Sequence, residues 1–188
     1  MCIRDRGKLS QSKKNRVSEK GFLHTDILII GSGPSGLMSA YIAGLSGARV
    51  LLVEEDFVYG GSLNNESFDI SNMPSQAWVM SVLEELQKLP NVRIMKRTCV
   101  FGMFDHGIFG AIEKLKDSKI EQIFWKIVSK KSLLCSGSLE RLIPFQNNDL
   151  PGIMLSGSIR SYINRWGIKS FSDVSVSYTH LTLPTNRE

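Results

Sequence analysis

Gly31, Ser32, Gly33, Pro34, Ser35 and Gly36 spell GxGxxG directly after a short apolar run, and Glu54 stands eighteen residues beyond the last glycine. The chemistry open to this set is recognition of a pyrophosphate and a ribose. Gly31 permits a tight turn, Gly33 lets a diphosphate approach the backbone with no Cβ in the way, and Gly36 lets a following helix pack close to a sheet. Free N–H groups and the dipole at the start of that helix favour the diphosphate charge. Glu54 can accept hydrogen bonds from ribose hydroxyls. No arginine stands directly beside it in the sequence to receive a 2′-phosphate, so NAD or FAD is favoured over NADP. A bare GxGxxG also occurs as a structural turn. The strand before it, the helix after it and the acid in register select the dinucleotide reading.

The elements that position these residues follow from the apolar pattern. Residues 27–30 read as a buried parallel strand, a helix runs to about Ser46 with Gly47 as its cap, and a second strand covers 49–53. Gly60 and Gly61, followed by Ser62, suggest either a second close approach of backbone to ligand or a plain loop turn. Residues 64–73 read as loop, Pro74 opens a helix to about Leu89, and 92–95 form the third parallel strand. The period then changes. Runs at 99–104, 107–112 and 122–128 predict an antiparallel meander laid over one face of the sheet, and 132–135 the next core strand. A loop with Pro144 and Pro151 precedes a short helix over 158–166, with Gly167 as its stop signal. Ligands in such sheets lie beyond the carboxyl ends of the strands, which groups Gly31, Glu54, Val100 and Gly137 around one crevice. The expected fold is thus α/β and Rossmann-like, of the FAD/NAD(P)-binding type with a β-meander insertion.

Composition removes other classes. The net charge of +5 resides in residues 1–20, which hold seven Lys/Arg against two Asp/Glu, while the remainder is balanced. It is therefore no nucleic-acid signal. Cys2, Cys99 and Cys135 form no CxxC or metal-ligand spacing, and His24, His106 and His180 are scattered. No paired carboxylates or Ser/His/Asp set stands out, so no catalytic or metal-ligating residue is assigned and any chemistry belongs to the cofactor. No apolar run reaches membrane-spanning length and no export signal is apparent, which predicts a cytoplasmic protein without a membrane partner.

The stretches HTDILIIGSGPSGL, VLLVEED with GGSL, LPNVRIMKRTCVFGMFDHG, GAIEKL, EQIFWKIVSKKSLLCSGSLER and FQNNDLPGIMLSGSIRSYINRWG cover about 24–168. Over them the chain closely resembles the nucleotide-binding region of the alpha subunits of heterotetrameric sarcosine oxidases. The resemblance implies non-catalytic binding of NAD+ where related flavoproteins hold FAD. It places Ser35 at the diphosphate, Glu54, Glu55 and Asp56 around the adenosine ribose, Ser62 nearby and Val100 against the adenine. It further implies beta and smaller subunits as partners, with sarcosine oxidised at a flavin in beta. FMN and folate belong only to the complete complex.

Departures from the family pattern fall beside the site. Its usual Ala-Thr-Gly is Cys135, Ser136 and Gly137 here, and Leu142 replaces an expected proline, with Pro144 two positions on. The opening MCIRDR and closing VSYTHLTLPTNRE resemble translated adapter sequence. The expected organisation is a disordered or artefactual leader over 1–20, a partial nucleotide-binding domain over 21–171 lacking its C-terminal half, and an artefactual tail over 172–188. Two other readings stay open. One is a stand-alone FAD-dependent oxidoreductase or an opine or proline dehydrogenase-type subunit. The other is a nucleotide fold kept as an assembly scaffold.

Overall fold

Residues 27–30 and 50–53 are apolar at every position because both faces of their sheet are covered. In the computed structural model, which describes residues 18–116, 119–141 and 144–168, successive side chains of these strands enter two separate cores. Ile29, Val50 and Leu52 pack with Leu37, Ala40, Val79, Leu83 and Leu86 on the helical side. Leu28, Leu51 and Val53 pack with Met95, Phe109, Ala111 and Ile127 on the other. Each fully buried leucine or isoleucine contributes about 1.5–3 kcal/mol.

The chain runs β1 (Ser18–Ile30), α1 (Pro34–Leu45), β2 (Val50–Val53), β3 (Asp69–Ile70), β4 (Met73–Pro74), α2 (Ser75–Gln87) and β5 (Val92–Met95). It continues with β6 (Thr98–Phe104), β7 (Ile108–Lys114), β8 (Gln122–Leu134) and α3 (Ser156–Arg160). The main sheet has the order β5-β2-β1-β8-β7-β6. β5, β2, β1 and β8 are parallel, whereas β6 and β7 pair antiparallel, with β7 also antiparallel to β8. The expected parallel sheet and meander are both present. The meander covers the face opposite α1 and α2, since Phe109, Ala111 and Ile127 close the second core.

The extents differ in three places. First, the runs at 122–128 and 132–135 belong to one continuous strand, β8, which ends at Leu134. The polar residues Ser129, Lys130 and Lys131 resemble a turn in sequence, but they lie in register along β1. Second, β1 begins at Ser18, nine residues before the expected strand at 27–30 and three residues inside the segment read as a leader, because its first half pairs with β8. Third, the loop at 64–73 contains the end of a short 3-10 turn (Gly61–Asn65) and the small hairpin of β3 and β4, turned by Ser71 and Asn72 at positive φ. The rest of the leader, Leu142 and the tail lie outside the described residues. Among the described residues no helix is long and apolar enough to cross a membrane.

An ion-pair cluster lies where β2 begins, beside the middle of β1 and β8. Asp26 accepts from the Arg49 Nε and Nη2 groups, each at 3.0 Å, and from Lys130 Nζ at 2.8 Å. The Arg49 hydrogen bonds, seconded by Lys130, hold the Asp26 carboxyl well below the usual carboxylate range. A depressed carboxylate stabilises the fold fully above its unfolded value of about 3.9, and loses that contribution as pH falls toward the folded value. Asp26→Asn is therefore expected to lower stability at neutral pH, with the gap from the parent chain closing below about pH 4. Urea denaturation across that range measures it.

Candidate functional site

The glycine loop is held by contacts that explain each glycine differently. Gly31 has φ +102°, and a Cβ there would lie 2.4 Å from the Cys135 carbonyl oxygen. Its N–H donates to the Val53 carbonyl at 2.8 Å, and Cys135 N–H donates to the Ile30 carbonyl at 2.8 Å. The turn is thereby pinned between β2 and the exit of β8. A Cβ on Gly36 would lie 1.9 Å from the Gly31 carbonyl oxygen, so α1 approaches the loop as closely as backbone permits. Gly33 is different, because nothing lies within 4 Å of where its Cβ would be.

Gly33 also precedes the first residue of α1 in extended conformation, with no side-chain cap bond and no acid in the first turn. Pro34 opens the helix without a donor. The N–H groups of Ser35 and Gly36 belong to the first turn, where a helix supplies no acceptor of its own. An open glycine before an uncapped helix start fits a diphosphate.

Glu54 is buried, and its carboxylate is committed to the loop itself. Oε2 accepts from Ser32 N–H at 2.8 Å and from Ser32 Oγ at 2.6 Å, while Oε1 accepts from Asp56 N–H at 2.9 Å. A carboxylate offers about four acceptor positions, so about one remains for a ribose hydroxyl. The fully buried Ser32 extends the network, since Gly60 N–H approaches its carbonyl at 3.1 Å and its Oγ at 3.3 Å. Gly60 and Gly61 have φ of +111° and +54°, and a Cβ on Gly61 would lie 3.1 Å from Gly33 Cα. The second glycine pair packs against the first loop. The neighbouring half-buried Tyr59 phenol is pushed up by burial and by the Glu54 charge.

The remaining expected site residues sit at the same end of the sheet. Glu55 is exposed and Asp56 half-buried, just past β2; Ser62 is exposed on the 3-10 turn. Thr98 N–H donates to the Glu54 carbonyl at 2.8 Å, which ties the start of β6, two residues before Val100, to the end of β2. The Val100 side chain packs against the second core. Gly137, at φ +71° with open space around it, lies two residues beyond Cys135.

Sequence reasoning missed the side chains that arrive from far away. Arg165 Nη2 meets the Asp56 oxygens at 2.7 and 2.9 Å from 109 residues on. Its guanidinium also lies over the Phe57 and Trp166 rings, and that of Arg97 lies over Phe57. A cavity of about 490 Å³ opens here, walled by Phe57, Tyr59, Met80, Lys96 and Trp166. An arginine thus does reach the acidic corner, but Asp56 neutralises it. The local sequence around Glu54 carried no signal for this.

The profile of FAD dependent oxidoreductases matches residues 26–123, which span β1 to the start of β8 and include the whole glycine loop and Glu54. The chain belongs to the FAD-dependent oxidoreductase family. It is similar to sarcosine oxidase subunit alpha of Rhizobium meliloti (strain 1021), at 38% identity over 169 residues, covering 86% of this chain and 17% of that protein. Against sarcosine oxidase subunit alpha of Corynebacterium sp. (strain U-96) the identity is 36% over 183 residues, covering 93% of this chain and 19% of that one. The chain therefore spans less than a fifth of the length of these curated relatives. Among solved structures, L-proline dehydrogenase from P. horikoshii superposes with a TM-score of 0.65 at 24% identity, over 80% of this chain and 30% of that one. That likeness supports the family fold. The family implies a flavin or related dinucleotide as cofactor, which fits the open Gly33 and the uncapped start of α1.

Proposed function

We propose that this chain is the dinucleotide-binding part of an alpha subunit of the sarcosine oxidase type, holding NAD+ in a non-catalytic role. The observation that carries the dinucleotide reading is the open Gly33 at an uncapped helix start, with Glu54 poised one strand away. The likeness to two sarcosine oxidase alpha subunits supports the assignment to such a complex. In this reading Ser35 and Gly36 amides receive the diphosphate, the free acceptor position of Glu54 receives a ribose hydroxyl, and Val100 borders the adenine. Asp56, occupied by Arg165, shapes the ribose corner. The chain binds and orients; the beta subunit of the complex carries out the oxidative demethylation of sarcosine to glycine, with a one-carbon unit and hydrogen peroxide as the other products.

The match to the FAD-dependent profile favours a second reading, with FAD at the same loop. Titration calorimetry of the chain with NAD+ and with FAD separates the two. Saturable NAD+ binding that Gly33→Ala weakens about tenfold or more, with no flavin retained after gel filtration, supports the first. Retained yellow flavin that the same substitution releases supports the second. Binding of neither, in a folded chain, removes both.

A further inference from the structure

Beside the start of β2 and midway along β1 and β8, away from the glycine loop, a second cavity of about 410 Å³ is lined by His24, Thr25, Arg49, His106, Ser129 and Lys130. We propose that this cleft binds a small oxyanion, a phosphate or carboxylate group carried by a metabolite. The inference does not depend on which dinucleotide occupies the glycine loop.

Four separate segments build the cleft. His24 and Thr25 come from β1, Arg49 from the residue before β2, His106 from the turn between β6 and β7, and Ser129 with Lys130 from β8. Arg49 and Lys130 both lean on Asp26, which accepts four hydrogen bonds or ion-pair contacts from them. Asp26 thus fixes two cations in place while cancelling only one of their charges. Among the described residues, two donors of the Lys130 ammonium and the Nη1 group of Arg49 remain, on side chains 74% and 60% exposed. Thr25 is already committed, donating to the Arg49 carbonyl at 2.7 Å. Arg49 and Lys130 together against Asp26 leave one positive charge in excess on these three residues.

The turn that brings His106 is itself held in an uncommon shape. His106 has φ 62° and ψ 28°, a left-handed conformation that non-glycine residues seldom adopt. Gly107 follows at φ +70°, and a Cβ there would lie 2.4 Å from the Ser129 carbonyl oxygen, so only glycine lets the turn press on β8. Backbone strain of this kind clusters at binding sites. The turn closes the VFGMFDHG stretch, of which the dinucleotide site uses only Val100.

The chain holds three histidines, and two of them line this cleft, which gives a direct readout. Side-chain histidine resonances of the 188-residue chain are followed by NMR during titration with inorganic pyrophosphate and, separately, with citrate. The expected result is a saturable shift of the His24 and His106 signals with a common Kd. Lys130→Gln, at an exposed position, raises that Kd about tenfold through loss of one charge-assisted hydrogen bond. His24→Gln, an independent surface variant, removes one signal and weakens binding. Tighter pyrophosphate binding assigns a phosphate ligand, and tighter citrate binding a carboxylate. Shifts that never saturate, or a Kd unchanged in both variants, overturn the proposal.

Discussion

Gly36→Ala is expected to abolish dinucleotide binding and to destabilise the fold by about 3 kcal/mol. In an ordinary helix interior the change would stabilise by about 1 kcal/mol, because alanine is the better helix former. Here the new methyl would sit 1.9 Å from the Gly31 carbonyl oxygen and 3.0 Å from its carbon. Neither atom can yield. Gly31 is held by its hydrogen bond to Val53 and is backed by the Cys135 carbonyl. The helix must therefore move off the loop, which also displaces the first-turn amides from the diphosphate position. Gly33→Ala is the matched control. Its φ of −64° suits alanine and its Cβ would meet nothing, so the melting temperature should barely change while affinity falls. Thermal melts and nucleotide titration of both variants measure the contrast. Equal stability of Gly36→Ala and the parent chain would overturn the packing argument.

The same contrast shows which parts of the site were legible in the sequence. A glycine needed for close helix packing and a glycine needed for ligand approach look alike in a motif, and only the neighbours separate them. The strands at 27–30 and 50–53 were legible because burial on both faces demands uninterrupted apolar residues, and the edge strand at 92–95 because its apolar residues flank a single exposed arginine, Arg93. The continuity of β8 was not. Its Lys130 is polar for a reason that lies across the sheet, where Asp26 waits on β1. Arg165 at Asp56 left no local trace either, since 109 residues separate them and the pairing depends on where α3 and the turn after it come to rest. That the Gly61 backbone lies against Gly33 was not legible either, because the motif does not show which glycine turns meet.

Glu54 is the residue whose sequence reading changes most, and its removal is the second large expected effect. The motif sends this carboxylate outward to a ribose, whereas the fold spends most of it inward, on Ser32 N–H, Ser32 Oγ and Asp56 N–H. Glu54→Ala leaves two buried Ser32 donors and the part-buried Asp56 N–H without their acceptor, each buried one costing about 1–3 kcal/mol when unsatisfied, so a loss of about 3 kcal/mol is expected. Glu54→Gln distinguishes acceptor geometry from mere packing. Its amide oxygen can still serve Ser32, but its NH2 then faces the Asp56 N–H, so both Ser32 bonds are kept while one donor is set against another. The expected order of stability is parent, then Gln, then Ala, with Gln losing about 1–2 kcal/mol. Ribose recognition should follow a different order. The acceptor position left for a hydroxyl is on Oε1, the oxygen that Gln replaces by a donor, so both variants should weaken dinucleotide binding about tenfold or more. A Gln variant that keeps its affinity while losing stability would show that the ribose is held elsewhere, and that Glu54 serves the loop alone.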